Sequence, residues 1–128
     1  MTMSRRWLIC VLLIAHGFLH LFGFLTSWDI VDIEAVSRTP TILPDDLPIG
    51  VIRDIGALWL LGLFAFTLSG FAVVRGYHWW KGLAFGSAIV SLVATIFWIH
   101  DAWPGLFLNM LIVVLIARSW WIPAPVEQ

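Results

Sequence analysis

The chain of 128 residues has few charges and a single cysteine, and both shortages limit what it can do. Only 12% of its residues are charged, against about 25% in an average soluble domain. Seven Lys and Arg and eight Asp and Glu give a net charge of −1 with no basic stripe, which argues against nucleic acid as a partner. The one cysteine, Cys10, excludes an intrachain disulfide and any paired-cysteine metal or redox motif.

Hydrophobic residues make up 61% of the chain, more apolar surface than a domain of this size can bury in water. Four apolar stretches are each long enough for a helix that crosses a hydrocarbon core of about 30 Å. Their hydrophobicity is continuous rather than alternating, which favours helices over barrel strands. The sequence therefore predicts one membrane domain over residues 1–128, an all-α transmembrane four-helix bundle. Its helices are expected at about 7–28, 48–75, 79–100 and 103–122.

The distribution of charge predicts the orientation of the bundle. Five basic residues fall on one side of a chain that crosses four times: Arg5, Arg6, Arg75, Lys81 and Arg118. By the positive-inside rule that side is cytoplasmic, so both termini are expected there. The long loop at 29–47 is acidic and is expected outside, with a helix cap at Asp45 or Asp46. Tryptophans are expected as interfacial anchors at the segment ends: Trp28, Trp79, Trp80, Trp103, Trp120 and Trp121.

Two histidines are the most distinctive polar residues of the first helix. His16 and His20 are four residues apart, so both project from one face. An imidazole in hydrocarbon is costly unless it is paired, so this face is expected to point into the bundle. Two interpretations stay open: the pair binds a metal ion together with further ligands, or each ring forms hydrogen bonds between helices. The chain has no HExxH or Glu-x-x-His motif that would indicate a hydrolytic or di-iron site.

Further polar residues are expected at the same depth as His20. Asn109 and His100 lie, by the predicted orientation, in the outer half of the membrane, and Asp54 lies at the outer start of the second helix. Such a group of polar side chains from several helices is the pattern of a vestibule or a site that opens outward.

Two local patterns predict how the helices start and pack. Asp101 is expected to cap the N-terminus of the fourth helix, with Pro104 in its first turn, and the alternative is that it orients the imidazole of His100. Gly82 and Gly86 form a small-residue pair on the third helix, which is expected to let it pack closely within the bundle, with dimerisation through this pair as the alternative.

Several of these patterns together resemble a family of small bacterial four-helix membrane proteins. They are His16 to Phe24 (HGFLHLFGF), Ala57 to Leu61, the Trp79-Trp80 pair, and Trp98 to Trp103 leading into Gly105 and Asn109. The resemblance covers the chain from about Trp7 to Ala117, and its layout is similar to the broader DoxX-like group. It implies a multi-pass protein of the bacterial inner (cytoplasmic) membrane, and it places His16, His20, Asp101 and Asn109 in the family pattern. The DoxX-like group includes subunits associated with quinone-linked sulfur oxidation, but no residue here matches a catalytic residue of those subunits.

These patterns predict a membrane-embedded binding bundle, for which a metal ion, haem or a quinone are the candidate ligands. The predicted ligand-binding residues are His16, His20, Asp54, His100, Asp101 and Asn109, with His16, His20 and His100 as the predicted metal ligands. No catalytic motif is present. One alternative is a structural or accessory subunit that docks a membrane partner or a second copy of the chain, and another is a small transporter that works as an oligomer.

Overall fold

The described part of the chain consists of four helices joined by short turns and one long loop. The computed structural model describes residues 2–44 and 46–121, with all their side chains except those of Trp120 and Trp121. The helices are α1 (Met3–Ser27), α2 (Ile49–Arg75), α3 (Trp80–Phe97) and α4 (Ile99–Trp121). All four are long and apolar enough to cross a membrane. This confirms the prediction of an all-helical protein with four candidate membrane spans. The predicted cap at Asp45 and the anchoring side chains of Trp120 and Trp121 lie outside the described residues.

Helices α1 and α2 run antiparallel and pack closely along their whole length because glycines line the contact. A Cβ built on Gly62 of α2 would lie 2.5 Å from Cδ2 of His20. A Cβ on Gly23 of α1 would lie 2.6 Å from the indole of Trp59. Such distances leave no room for a methyl group, and glycine at these positions therefore lets large side chains of one helix rest on the backbone of the other.

The small-residue pair of α3 lies on a different surface from the one expected. Gly82 and Gly86 are exposed, and a Cβ on either would meet nothing within 4 Å. The prediction that this pair packs within the bundle is therefore wrong. The inward face of α3 is formed instead by Ala84, Ala88 and Ser91, which are all buried, since small side chains at this spacing share one helix face.

Replacement of glycine by alanine is expected to have opposite effects on stability at Gly62 and at Gly86, because only Gly62 is packed against another helix. Gly62→Ala is expected to lower the free energy of unfolding by about 1–3 kcal/mol, because the new methyl group displaces the ring of His20. Gly86→Ala is expected to leave stability unchanged or raise it by up to about 1 kcal/mol, because it improves helix propensity in open space. Unfolding titrations in mixed micelles measure both, and a change of the same sign in the two variants would contradict the packing.

The core has an apolar cluster towards each end of the bundle. One cluster contains Leu13, Phe66 and Val73 with two alanines of α3 and Ile116 of α4. The other contains Trp59, Ala94 and Trp98 and lies at the end that carries the long loop. Buried polar side chains, among them His16, His20 and Asn109, lie between these two clusters.

Helix α4 begins at Ile99, before its predicted start at residue 103, and α3 ends at Phe97. The backbone N–H groups of Asp101 and Ala102 donate to the carbonyl of Trp98, which makes Trp98 the turning point between the helices. Asp101 therefore lies in the first turn of α4, and the prediction that it caps the helix is wrong. The predicted start at residue 103 rests on Pro104, because proline is favoured in the first turn of a helix. In the structure Pro104 lies inside α4.

The loop at residues 28–48 is held against the junction of α3 and α4. The Trp98 indole N–H donates to the carbonyl of Ser37 at 2.8 Å, and the Ser37 N–H donates to the carboxylate of Asp101 at 2.7 Å. The N–H of Thr41 donates to the carbonyl of Phe97 at 2.7 Å. These bonds lie at one end of the bundle, so the loop covers that end of the helices.

Candidate functional site

A layer of four buried polar side chains crosses the bundle between the apolar clusters. His16 and His20 come from α1, Ser91 from α3 and Asn109 from α4. Their exposed fractions are 5%, 3%, 0% and 0%. The two histidines therefore share one face that points into the bundle, as their spacing and the cost of an unpaired imidazole in lipid predict. There they meet polar partners from two other helices.

The four side chains form one chain of hydrogen bonds. His16 Nε2 lies 2.9 Å from Asn109 Oδ1, and Asn109 Nδ2 lies 2.6 Å from Ser91 Oγ. Ser91 Oγ in turn lies 2.5 Å from His20 Nε2. His20 Nδ1 lies 2.9 Å from the carbonyl oxygen of His16. The chain thus begins and ends on α1 and joins it to α3 and α4, and we name it the polar layer.

The donors and acceptors of the polar layer fit together in only one way when both rings are neutral. A carbonyl oxygen only accepts, so His20 Nδ1 carries the proton and its Nε2 accepts from the hydroxyl of Ser91. That hydroxyl has one proton, so Ser91 must accept from the amide N–H of Asn109. Asn109 Oδ1 then faces His16 Nε2, which must carry the proton. The two histidines are therefore opposite tautomers, and Nδ1 of His16 is a bare acceptor.

Aromatic rings enclose the imidazoles. The rings of His16 and His20 meet edge to face with centroids 4.9 Å apart. Phe66 lies 4.7 Å from the ring of His16, and Trp59 lies 5.4 Å from the ring of His20. Edge-to-face contacts of this kind fix the planes of both imidazoles, so the hydrogen bonds of the polar layer are made by rings with little freedom to turn.

The polar layer lies near the middle of the helices rather than at their outer ends. Asn109 is ten residues after the start of α4 at Ile99, a rise of about 15 Å, and it pairs with His16. His16 lies eleven residues before the end of α1, at a similar depth. The predicted start of the fourth helix at residue 103 puts Asn109 at the depth of His20, about one helical turn closer to the loop end than its pairing with His16 places it.

A cavity of about 280 Å³ runs from the polar layer to the loop end of the bundle. All four members of the polar layer line it, together with Trp59. At the other end it reaches Val36 of the loop and Asp101 and Ala102 of α4, and its remaining surface is mainly apolar. The cavity thus combines a polar floor with apolar walls, the composition typical of small-molecule sites.

The cavity opens sideways, between α1 and α4. In the described chain α1 packs along α2, α2 along α3 and α3 along α4, while the seam between α4 and α1 has no comparable packing. Leu19 and Phe22 of α1 and Leu108 of α4 line the cavity and are also exposed on the outside of the bundle. The opening therefore faces the surface that would contact lipid.

Two polar atoms of the residues that line the cavity have no partner within the described chain. His16 Nδ1 is an acceptor and Trp59 Nε1–H is a donor, and both are buried. A third such atom, the hydroxyl oxygen of Thr67, belongs to a residue outside the cavity lining. A buried polar group without a hydrogen bond costs free energy, and more so in a bilayer, where water does not reach it.

Two predicted site residues lie elsewhere. His100 is exposed, and only its backbone N–H is held, by the hydroxyl of Thr41 at 3.3 Å. Asp54 is also exposed, and neither residue lines the cavity. Within the described ranges, no group of three or more His, Cys, Asp or Glu side chains could hold a metal ion. His16, His20 and Asn109 meet in the polar layer, and Asp101 lines the far end of the same cavity. The three histidines predicted as metal ligands are not brought together.

Two residues of the site are not indicated by the sequence. Ser91 connects the polar layer at its centre, although its position alone suggests only small-residue packing. Trp59 lines the cavity, and its indole N–H has no partner within the described chain, but its position inside an apolar stretch gives no signal of this. Comparison of the chain with models of known protein families, with curated proteins and with solved structures finds no match.

Proposed function

We propose that this membrane protein binds a small lipid-soluble ring compound of the quinone or hydroquinone type in the cavity between α1 and α4. The observation that carries the proposal is the pair of unpartnered atoms, His16 Nδ1 and Trp59 Nε1, in residues that line one cavity. The first needs a donor and the second needs an acceptor. A hydroquinone or a phenol-like ring carries both on oxygen atoms.

The size and the opening of the cavity support the same class of ligand. A cavity of about 150 Å³ is known to accept benzene, so about 280 Å³ accommodates a substituted single ring. An apolar tail attached to that ring would leave between Leu19 and Leu108 into the surrounding lipid. This route requires no passage through water, which suits a compound that is dissolved in the bilayer.

The alternatives of a metal ion or haem have less support than a quinone. Both ring nitrogens of His20 are paired within the polar layer, so His20 can bind a metal only if its bond to Ser91 breaks. The ring of His16 offers a single bare nitrogen. One available nitrogen suits a hydrogen bond to a ligand better than it suits a metal site, which needs three or four ligands.

The predicted orientation and location are part of the proposal. The basic residues Arg5, Arg6, Arg75 and Lys81 lie at the end of the bundle opposite to the loop, in keeping with that end being cytoplasmic. The cavity would then extend from mid-membrane to the outer surface. A bacterial inner-membrane location and membership of the DoxX-like group are hypotheses that a four-helix architecture is consistent with.

The sharpest test removes the indole N–H donor of Trp59 while keeping an aromatic ring at that position. We expect a decyl-substituted benzoquinol to bind the purified protein in detergent, and Trp59→Phe to weaken this binding roughly 5-fold. The ligand-free variant should lose only about 1 kcal/mol of stability, because phenylalanine fills less of the buried site while the lost N–H has no hydrogen bond to lose. Calorimetric titration measures the affinity, and thermal unfolding measures the stability.

Trp103→Phe is the matched control. Trp103 lies on the exposed surface of α4 outside the cavity lining, so its replacement should leave the affinity unchanged. The absence of benzoquinol binding, or equal affinities for the wild-type protein and Trp59→Phe, would contradict the proposal. A stable polar layer without ligand binding would leave the accessory-subunit hypothesis as the better interpretation of the histidines.

A further inference from the structure

A second, apolar groove lies at the opposite end of the bundle from the loop. It has a volume of about 330 Å³ and runs between the first half of α1 and the last turns of α2. Trp7, Val11 and Ile14 form its α1 side, and Phe71 and Val74 form its α2 side. Trp7, Val11 and Phe71 are each more than half exposed, so the groove is open to the outside of the bundle.

Two arginines flank the mouth of this groove. Arg6 lies one helical turn before Cys10, which lines the groove on α1, and Arg75 lies one turn after Phe71 on α2. The side chain of Arg6 reaches across to the end of α2, since a Cβ on Gly76 would lie 2.7 Å from its Nη1. The guanidinium of Arg6 therefore lies beside Gly76, the residue directly after Arg75.

No acidic residue of the described chain offsets these charges. The described Asp and Glu residues are in the loop or at the loop end of the helices: Asp29, Asp32, Glu34, Asp46, Asp54 and Asp101. The one salt bridge in the described ranges, between Arg38 and Asp29, is also in the loop. Among the described residues, every charged side chain at the end with the groove is a cation, and Arg5, Lys81 and Arg118 add to Arg6 and Arg75.

From this combination we infer a binding site for one anionic glycerophospholipid, independent of the ligand proposed for the cavity. The lipid phosphate lies between Arg6 and Arg75, and one acyl chain lies in the groove along Val11 and Phe71. Basic pockets between membrane helices bind anionic head groups in this way, and each nearby Arg or Lys strengthens the attraction. Trp7 at the mouth of the groove has the amphipathic ring that favours the head-group level.

The test compares two lipids that differ only in charge. Delipidated protein in a neutral detergent is titrated with phosphatidylglycerol or phosphatidylcholine of identical acyl chains, and bound lipid is counted by native mass spectrometry. We expect one phosphatidylglycerol to be retained roughly 10-fold more strongly than phosphatidylcholine. In the double variant Arg6→Gln, Arg75→Gln this preference should disappear, and Arg6→Lys, Arg75→Lys should restore most of it.

Two controls separate a lipid site from a general effect of charge or of folding. Arg38→Gln, Arg53→Gln removes the same charge from the loop end and should keep the preference. Ala15→Trp fills the groove without changing the charge and should reduce retention of phosphatidylglycerol, whereas Leu61→Trp on an exposed part of α2 should not. Equal retention of the two lipids by the wild-type protein would overturn the inference. So would an equal loss of the preference for phosphatidylglycerol in Arg6→Gln, Arg75→Gln and in Arg38→Gln, Arg53→Gln.

Discussion

Replacing Asn109 with leucine is expected to lower the free energy of unfolding by roughly 1–3 kcal/mol. The substitution keeps the size of the side chain but removes two hydrogen bonds, to His16 and to Ser91. Bonds of this kind between membrane helices contribute about 0.6–1.7 kcal/mol each. The seam between α1 and α4 has little other packing, so the variant should also increase the separation of these helices. Unfolding in mixed micelles and distance measurements between spin labels on α1 and α4 test the two effects.

Two serines of α3 give a matched control for this prediction. Ser91→Ala removes the central hydroxyl of the polar layer, whereas Ser87→Ala removes a buried hydroxyl that donates only to the carbonyl of Leu83 in its own helix. We expect Ser91→Ala to be clearly destabilising and Ser87→Ala to change stability by less than about 0.5 kcal/mol. A double-mutant cycle of Ser91→Ala with Asn109→Leu should show coupling. Equal effects of the two serine substitutions, or strictly additive effects in the cycle, would argue against a connected layer.

Replacing Trp98 with alanine is expected to have a still larger effect, about 3–5 kcal/mol. The side chain is fully buried in the cluster at the loop end, and its indole N–H holds the carbonyl of Ser37. Loss of the ring creates a cavity in the cluster and releases the loop from the junction of α3 and α4. Trypsin cleavage after Arg38, which directly follows Ser37, should therefore become much faster than in the wild-type protein.

Trp98→Phe separates the two roles of this side chain. It keeps most of the buried ring and removes the bond to Ser37, so it should speed cleavage after Arg38 with a stability loss of only about 1 kcal/mol. Trp103→Ala, on the exposed surface of the same helix, should change neither property. If cleavage after Arg38 were equally fast in the wild-type protein and in Trp98→Ala, the loop would not be held by this contact.

Composition and spacing predict the parts of the structure that depend on one helix at a time. The apolar stretches predict four membrane helices, because each helix must satisfy its own backbone in lipid. The four-residue spacing of His16 and His20 predicts a shared face, and the cost of an unpaired imidazole predicts that this face is buried. Neither prediction depends on how the helices pack against one another.

The parts that could not be predicted depend on the register between helices. Starting α4 at Ile99 instead of residue 103 moves Asn109 by about 6 Å, roughly one turn, relative to the helix start. Because of this shift, Asn109 lies at the depth of His16 and forms a hydrogen bond with it, and the carboxylate of Asp101 reaches the loop at Ser37. Gly86 likewise follows the same small-residue pattern as the glycines of the contact between α1 and α2, yet it faces outward. A single sequence does not specify which small face meets which neighbour.

The protonation of the two buried histidines tests the polar layer most directly. Nitrogen-15 NMR of protein labelled at histidine distinguishes the two neutral tautomers of each ring. The hydrogen-bond geometry predicts that His16 carries its proton on Nε2 and His20 carries its proton on Nδ1. Addition of the benzoquinol should then shift the signal of His16 Nδ1 and leave that of His20 Nδ1 nearly unchanged. The same tautomer in both rings, or a His16 signal that does not respond to the ligand, would contradict the proposed site.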